Sequence, residues 1–133
     1  MRGRGFTLIE VMVSLLIFTA AIGAFCALYL TATRLNQAGR NLTQAANDGR
    51  VLMEAMRDRA QSVGLAGAGG VTATYTQGTN LGPALNLTSM VNEVVTVTYA
   101  NPNADPLPVT VQVNWQESNR DRSVSMDTAL TRR

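Results

Sequence analysis

The first part of the chain is an almost uninterrupted apolar segment. From Phe6 to Leu30 the sequence reads FTLIEVMVSLLIFTAAIGAFCALYL, and Glu10 is its one charged residue. As an α-helix this segment would be about 37 Å long, enough to cross a bilayer. It is longer than the apolar core of a secretory signal peptide, and Phe25 stands where a lipoprotein signal needs a small residue before Cys26. The pattern predicts a membrane-spanning helix over residues 6–30 that is not removed as a signal peptide.

The helical pattern continues beyond this segment, but on one face only. Apolar and small residues recur every seven positions, with others between them: Leu35, Ala38, Leu42, Ala45, Gly49, Leu52, Met56 and Val63. Such a stripe is typical of an amphipathic helix, either in a coiled coil or packed on other structure. Gly49 and the alanines favour packing on a small sheet. We expect one continuous helix from Phe6 to about Val63, ended by the four glycines of residues 64–70.

The rest of the chain alternates apolar and polar residues with a period of two. This alternation is typical of β-strands that have one covered face and one wet face. The predicted strands are residues 91–99, 109–115 and 122–130, with a shorter one over 71–75. Val124 and Met126 are expected to point inward, 116–121 to form a polar turn and 76–90 a loop. The predicted fold class is α+β, a long N-terminal helix packed on a small antiparallel sheet.

Composition removes most catalytic chemistry. The chain has no His, and its one Cys, Cys26, lies inside the apolar segment. The commonest general base and metal ligand is therefore missing, and an intramolecular disulfide is impossible. No nucleophile–base pair can be recognised from the spacing of the scattered Ser and Asp residues. A membrane-anchored enzyme is the disfavoured alternative, and we expect no enzymatic activity, no metal and no cofactor. We expect Tyr99 and Trp115 to be core residues rather than a platform for a ligand.

Charge argues against nucleic acid as a partner. The formal net charge is +2, from eleven Arg and nine acidic residues. Without Arg2 and Arg4 the balance is nine (11 − 2) against nine, which is zero, so bulk electrostatic attraction to nucleic acid is weak. A candidate basic edge for an adhesin or a DNA-binding protein consists of Arg120, Arg122, Arg132 and Arg133. The acidic residues interleaved with it favour a solvated edge instead: Glu117, Asp121 and Asp127.

Glu10 is the residue that a simple membrane anchor leaves unexplained. A carboxylate within a membrane span costs a few kcal/mol and usually marks function. No cationic side chain lies within one turn on its C-terminal side. Cleavage after Gly5 would create a partner, the α-amine of Phe6, which lies four residues from Glu10 on the same helix face. The amine and the carboxylate could pair within one chain or between offset neighbours in a filament.

The segment GFTLIEV at residues 5–11 resembles the class III signal of type IV pilins and of type II secretion pseudopilins. The resemblance implies that residues 1–5 are a short basic leader, whose charge comes from Arg2 and Arg4. It also implies cleavage between Gly5 and Phe6 by a prepilin peptidase, which then methylates the Phe6 amine.

Assembly is the further implication of this resemblance. It assigns Glu10 a role in building the filament, with membrane lipid, the inner-membrane assembly platform and other minor and major pilins or pseudopilins as partners. It places the chain in a bacterial inner membrane as a single-pass protein, with a cytoplasmic N-terminus and an extracytoplasmic head, and then in a pilus or pseudopilus. Charge alone leaves the orientation open, because Arg34 and Arg40 nearly balance the basic leader. The expected divisions are 1–5 (leader), 6–30 (membrane and filament-core helix), 31–63 (amphipathic helix) and 64–133 (sheet head).

Finer features resemble minor pilins of the PilV pilus modification class. They are the Ala-Ile-Gly run at residues 21–23, the helix ending at residues 52–59, and the two strand motifs at 111–115 and 122–128. The same ending also resembles one small pseudopilin of type II secretion systems, which stays the alternative. Many major pilins have Pro where Ala27 stands and close a C-terminal loop with two Cys. Both departures agree better with a minor subunit.

Overall fold

The computed structural model describes residues 7–87 and 89–132. A long helix comes first, followed by a loop-rich segment and three strands. The elements are α1 (Leu8–Ser62), α2 (Val71–Thr74), a short 3₁₀ turn (Pro83–Leu85), β1 (Val94–Tyr99), β2 (Leu107–Glu117) and β3 (Arg120–Leu130). The predicted α+β class, a long N-terminal helix with a small antiparallel sheet, is confirmed. The chain divides into two compact units, residues 1–39 and residues 40–133, and the second is called the head below.

Helix α1 runs without interruption because nothing in its sequence breaks it. It contains no Pro, and its glycines are isolated. It ends at Ser62, where the N–H groups of Val63 and Gly64 both donate to the Arg59 carbonyl, at 2.9 and 3.2 Å. Gly64 has a φ of 114°, a backbone conformation that favours glycine. The glycine-rich segment thus stops the helix where the sequence predicted.

The sheet is antiparallel with the order β1-β2-β3. Strand β2 lies in the middle, and every second residue along it is buried: Leu107, Val109, Val111, Val113 and Trp115. The expected core positions of Tyr99 and Trp115 are confirmed, because both side chains are buried. The core face of β3 is less well covered, since Val124 and Met126 are only half-buried.

The hairpin between β2 and β3 is tighter than predicted. Ser118 and Asn119 have φ values of 48° and 64°, as a two-residue type I′ turn requires. The pairing of Glu117 with Arg120 directly flanks this turn. The predicted turn over 116–121 therefore shrinks to two residues, and β3 begins two residues earlier than expected.

One face of α1 covers the sheet within the head. Its buried residues are Ala45, Gly49, Leu52, Met56 and Ala60. A Cβ at Gly49 would collide with the end of the flexible Met126 side chain and lie against Val113, so a larger residue there would require Met126 to move. A glycine in mid-helix costs up to about 1 kcal/mol in helix propensity, so close packing against the sheet is the physical reason for it.

The predicted stripe is correct at its centre and wrong at its ends. Within the head, Leu42 and Val63 are 52% and 48% exposed. An ideal helix drifts about 20° per heptad from a strict seven-residue repeat, so such a stripe gradually turns away from a flat surface. Ala60, four residues after Met56, takes the buried position that Val63 was expected to occupy.

The predicted strand over residues 71–75 is wrong, because Val71–Thr74 forms one helical turn. The N–H of Tyr75 donates to the Val71 carbonyl at 2.9 Å. The outer edge of β1 is not open to this segment, because it bonds to a later part of the loop. There Gly78 N–H donates to the Val97 carbonyl at 3.1 Å and Leu81 N–H to the Val95 carbonyl at 2.8 Å.

The same residues make the two edges of the sheet unequal. Residues 78–81 cover the outer edge of β1, and the Asn80 side chain also accepts the Val95 N–H at 3.1 Å. The outer edge of β3 pairs with no strand in the described part of the chain. Strand β1 is also shorter than the predicted 91–99, because Asn92 has a φ of 52° and interrupts the extended backbone.

We expect Leu52→Ala to destabilise the head by about 2–5 kcal/mol, because it removes a fully buried side chain from the helix–sheet interface. The measurement is urea unfolding of the full chain in detergent micelles, followed by fluorescence of Trp115, the only tryptophan. Leu42→Ala, the same change at a half-exposed site of α1, is the matched control and should cost less than about 1 kcal/mol. Equal losses in the two variants would contradict the assignment of the buried face.

Candidate functional site

The candidate assembly residue Glu10 lies in the first turn of α1. The N–H groups of Glu10 and Val11 donate to the Thr7 carbonyl, at 3.1 and 3.3 Å. A carboxylate is favourable in this turn because the N-terminus of a helix carries partial positive charge. The leader and cleavage residues Arg2, Arg4, Gly5 and Phe6 lie outside the described residues. The pairing of the Phe6 amine with Glu10 therefore stays a prediction.

The Glu10 carboxylate is exposed and has no cationic partner within the described residues. The ion pair that the described residues contain is between Arg122 and Glu117, in the head. The helix surface that surrounds Glu10 is apolar, with Leu8, Ile9, Val11, Met12 and Val13 all exposed. A charge in such a surface is costly in lipid until a counter-charge reaches it. The geometry therefore leaves Glu10 available to an amine that is supplied from elsewhere.

The hydroxyl groups of this half of α1 are satisfied within the helix. Ser14 Oγ donates to the Glu10 carbonyl at 2.7 Å, and Thr19 Oγ1 donates to the Leu15 carbonyl at 3.0 Å. Thr31 Oγ1 bonds in the same way to the Ala27 carbonyl at 2.9 Å. Because each hydroxyl is paired with the backbone one turn earlier, these side chains can face an apolar medium at low cost.

The apolar surface of this half of α1 is not buried by the chain itself. By length and composition the helix can cross a membrane, and none of its most apolar stretch is covered. An exposed apolar surface of this size requires lipid or other apolar helices around it. By length, composition and exposure, the segment is consistent with a membrane anchor.

The predicted basic edge in the head is partly neutralised. Arg122 Nε lies 3.5 Å from Glu117 Oε2, and Glu117 Oε1 accepts a hydrogen bond from Asn41 Nδ2 at 2.9 Å. Glu117 therefore links the hairpin to α1, a role that its place in a polar turn did not suggest. Arg120 and Arg132 are exposed, and Arg133 lies outside the described residues. Much of the edge is thus a solvated surface with interleaved acids.

The interior of the head contains few groups suited to chemistry. Burial and the nearby Tyr75 raise the pKa of Tyr99 to about 12, and the Tyr99 hydroxyl donates to the Tyr75 carbonyl at 2.8 Å. In the described parts of the chain, no group of three or more His, Cys, Asp or Glu side chains comes together as a metal site. The lack of catalytic activity remains an expectation from the sequence.

One buried acid was not identified from the sequence. Glu93 precedes β1, and its Oε2 accepts hydrogen bonds from the backbone N–H groups of Ser89 and Met90, at 2.9 and 3.0 Å. An acid that interrupts an apolar, β-branched run is the signal that could have indicated this role. Its carboxylate holds the turn that leads into the sheet.

Comparison with known proteins supports the N-terminal assignment. Residues 1–25 match the family of the prokaryotic N-terminal methylation motif. No curated protein and no solved structure gives a significant match to the chain.

We expect the full chain in detergent micelles to show no measurable affinity for duplex DNA at about 150 mM salt, because its net charge is small and acidic residues are interleaved with its basic edge. Fluorescence anisotropy of a labelled duplex checks this. An affinity that falls steeply with salt and is reduced by the double change Arg120→Ala and Arg132→Ala would restore the nucleic-acid alternative. Arg57→Ala, which removes an exposed Arg from α1, is the matched control.

Proposed function

We propose that this type IV pilin-like protein is a minor pilin, made as a membrane-anchored precursor, processed by prepilin peptidase and built into a pilus. In this role it supports assembly or initiation of the pilus and performs no chemistry itself. The observation that carries the proposal is the methylation motif at residues 1–25, followed by an exposed apolar helix with Glu10 in its first turn.

The proposed route begins in the inner membrane. The precursor spans it once, with the leader in the cytoplasm and the head outside. Lipid first surrounds the apolar half of α1, and other subunits' helices then replace the lipid in the filament core. Lipid tails are as apolar as the side chains that replace them, so this exchange gains little hydrophobic free energy. Polar contacts then have a large effect on how the helices pack.

Glu10 is the residue that supplies such a contact in this proposal. Processing would give Phe6 a free α-amine, and a neighbour's Glu10 would meet it when the two helices are correctly offset. An ion pair in an apolar core is costly to leave unmade, because an unpaired charge there has neither water nor a counter-charge. We therefore assign Glu10 the role of fixing the axial register of the subunit.

Two features of the chain support a minor rather than a major subunit. Many major pilins have Pro where this chain has Ala27. Here Ala27 lies within an unbroken helix, and its carbonyl accepts a hydrogen bond from the Thr31 hydroxyl. The chain's only Cys is the exposed Cys26, so no disulfide closes a C-terminal loop. The PilV-like features named above agree with this reading.

A minor pseudopilin of a type II secretion system is the second candidate. The same N-terminal motif and the same small sheet support it, since both classes share the signal that the sequence resembles. A strain that lacks the protein separates the two. Loss of surface pili with normal protein secretion would support the pilin, and loss of secretion with normal pili would support the pseudopilin.

We expect the mature chain to begin at Phe6 with a methyl group on its amine. Mass spectrometry of the N-terminal peptide, from cells with and without prepilin peptidase, checks this directly. The leader should remain in the strain that lacks the enzyme. A chain that begins at Met1 or Arg2 in cells with active peptidase would indicate an ordinary single-span membrane protein and overturn the proposal.

We expect Glu10→Gln to lower the amount of this subunit in sheared filaments by at least about tenfold, because one unmade ion pair costs more than about 1.4 kcal/mol in an apolar core. Membrane insertion should be unaffected. Immunoblots of the sheared and membrane fractions measure both quantities. Ser14→Ala is the matched control, since it removes a polar group one turn later and leaves the carboxylate in place. Normal incorporation of the Gln variant would remove the assembly role of Glu10.

A further inference from the structure

The Glu93 carboxylate is buried, and one of its two oxygens has no hydrogen-bond donor among the described residues. The residue is only 6% exposed. Its Oε2 accepts the N–H groups of Ser89 and Met90 and lies 3.4 Å from the Ser89 hydroxyl. Its Oε1 is also buried, and it has no hydrogen-bond partner in the described structure. A buried carboxylate oxygen without a donor is costly, so a proton or a cation must be accounted for here.

Asp48 is the second carboxyl group at this site. It lies on α1, and its carboxyl group is half-buried and in hydrogen-bonding contact with Glu93. The Ser89 hydroxyl lies 3.5 Å from Asp48 Oδ2. Two carboxyl groups thus meet between α1 and the turn before β1.

The surroundings of Asp48 offer no positive charge. Glu93 is the charged side chain found to act on it among the described residues. On α1 itself, the neighbouring positions one turn away carry no charge: Gln44, Ala45, Val51 and Leu52. Burial, the hydrogen bond with Glu93 and the charge of Glu93 together raise the pKa of Asp48 to about 6, and the Ser89 hydroxyl opposes them.

We propose that Asp48 and Glu93 share one proton, which joins α1 to the Ser89–Met90 turn and makes this link in the head sensitive to pH. In the linked form, the protonated Asp48 carboxyl donates to the Glu93 carboxylate. When that proton is lost, the half-buried Asp48 carboxylate repels the buried Glu93 carboxylate, and the turn loses its tie to the helix. The inference stands on the geometry of the head and does not rest on the proposed function.

The direction of the pH effect follows from linkage. The folded chain holds the Asp48 proton more tightly than the unfolded chain, whose carboxyl titrates near 3.8. The folded state therefore binds more protons between about pH 4 and pH 6, and the stability from this pair falls as pH rises through that range. Most paired carboxylates act in the opposite direction, so the contribution has a distinct sign.

The test compares the wild type with Asp48→Asn, which keeps a neutral donor beside Glu93 at every pH. Urea unfolding of the full chain in micelles, followed by Trp115 fluorescence, gives the unfolding equilibrium constant. The ratio of this constant in the wild type to that in Asp48→Asn should rise about fivefold between pH 4 and pH 7.5. A fully buried pair would give a larger rise. Asp58→Asn, at an exposed site of α1, is the matched control, and its ratio to the wild type should stay flat.

A second measurement on the wild type keeps the inference testable if the variant folds poorly. The ¹³C chemical shift of the Asp48 carboxyl should titrate with a midpoint raised above the ordinary value of 3.8. Exchange of the Ser89 and Met90 amides, corrected for its intrinsic pH dependence, should rise over the same range. A midpoint near 4, or a flat ratio in the unfolding experiment, would overturn the shared proton. So would stabilisation by millimolar Ca²⁺ at pH 7.5 that is lost in Asp48→Asn, because the missing partner would then be a cation.

Discussion

The head depends on the contact between one face of α1 and the middle strand of a three-stranded sheet. A sheet this small has one apolar face and cannot bury it alone, so the helix is its cover. Leu52 and Met56 are fully buried in this contact, and the absence of a side chain at Gly49 leaves room for the end of the Met126 side chain. The same helix also carries the N-terminal signal, so one element serves two different surroundings.

Those two surroundings explain how polar groups are distributed along α1. In the apolar half, hydroxyls bond back to the helix, and Glu10 is the one carboxylate. In the head, the polar side chains reach across to other elements instead: Asn41 contacts Glu117, Arg59 binds the Gly69 carbonyl, and Asp48 meets Glu93. The chain thus uses local bonds where no neighbour of its own is present and long-range bonds where the fold provides one.

The sequence was sufficient for the features that depend on periodicity and on breakers. The length of α1, its end before the glycines, and the alternation along β2 all follow from local patterns. The strand predicted over 71–75 failed because an edge for it to pair with is a tertiary property, and residues 78–81 already occupy that edge. The contact between Asp48 and Glu93 was not predicted, for the same reason. The two residues lie far apart along the chain, and only the fold brings them together. At the candidate site, the motif alone predicted the cleavage residues, and the structure adds the surroundings of Glu10.

The unequal edges of the sheet limit how heads can associate. An edge strand with free backbone groups is a template for another strand, and a sheet with two such edges can add neighbours without end. Here residues 78–81 and the Asn80 side chain occupy the β1 side, and only β3 remains open. Edge-to-edge pairing can therefore join two heads through their β3 strands, but it cannot propagate. A sheet with one open edge cannot by itself build the unlimited strand-to-strand ribbon that a sheet with two open edges allows.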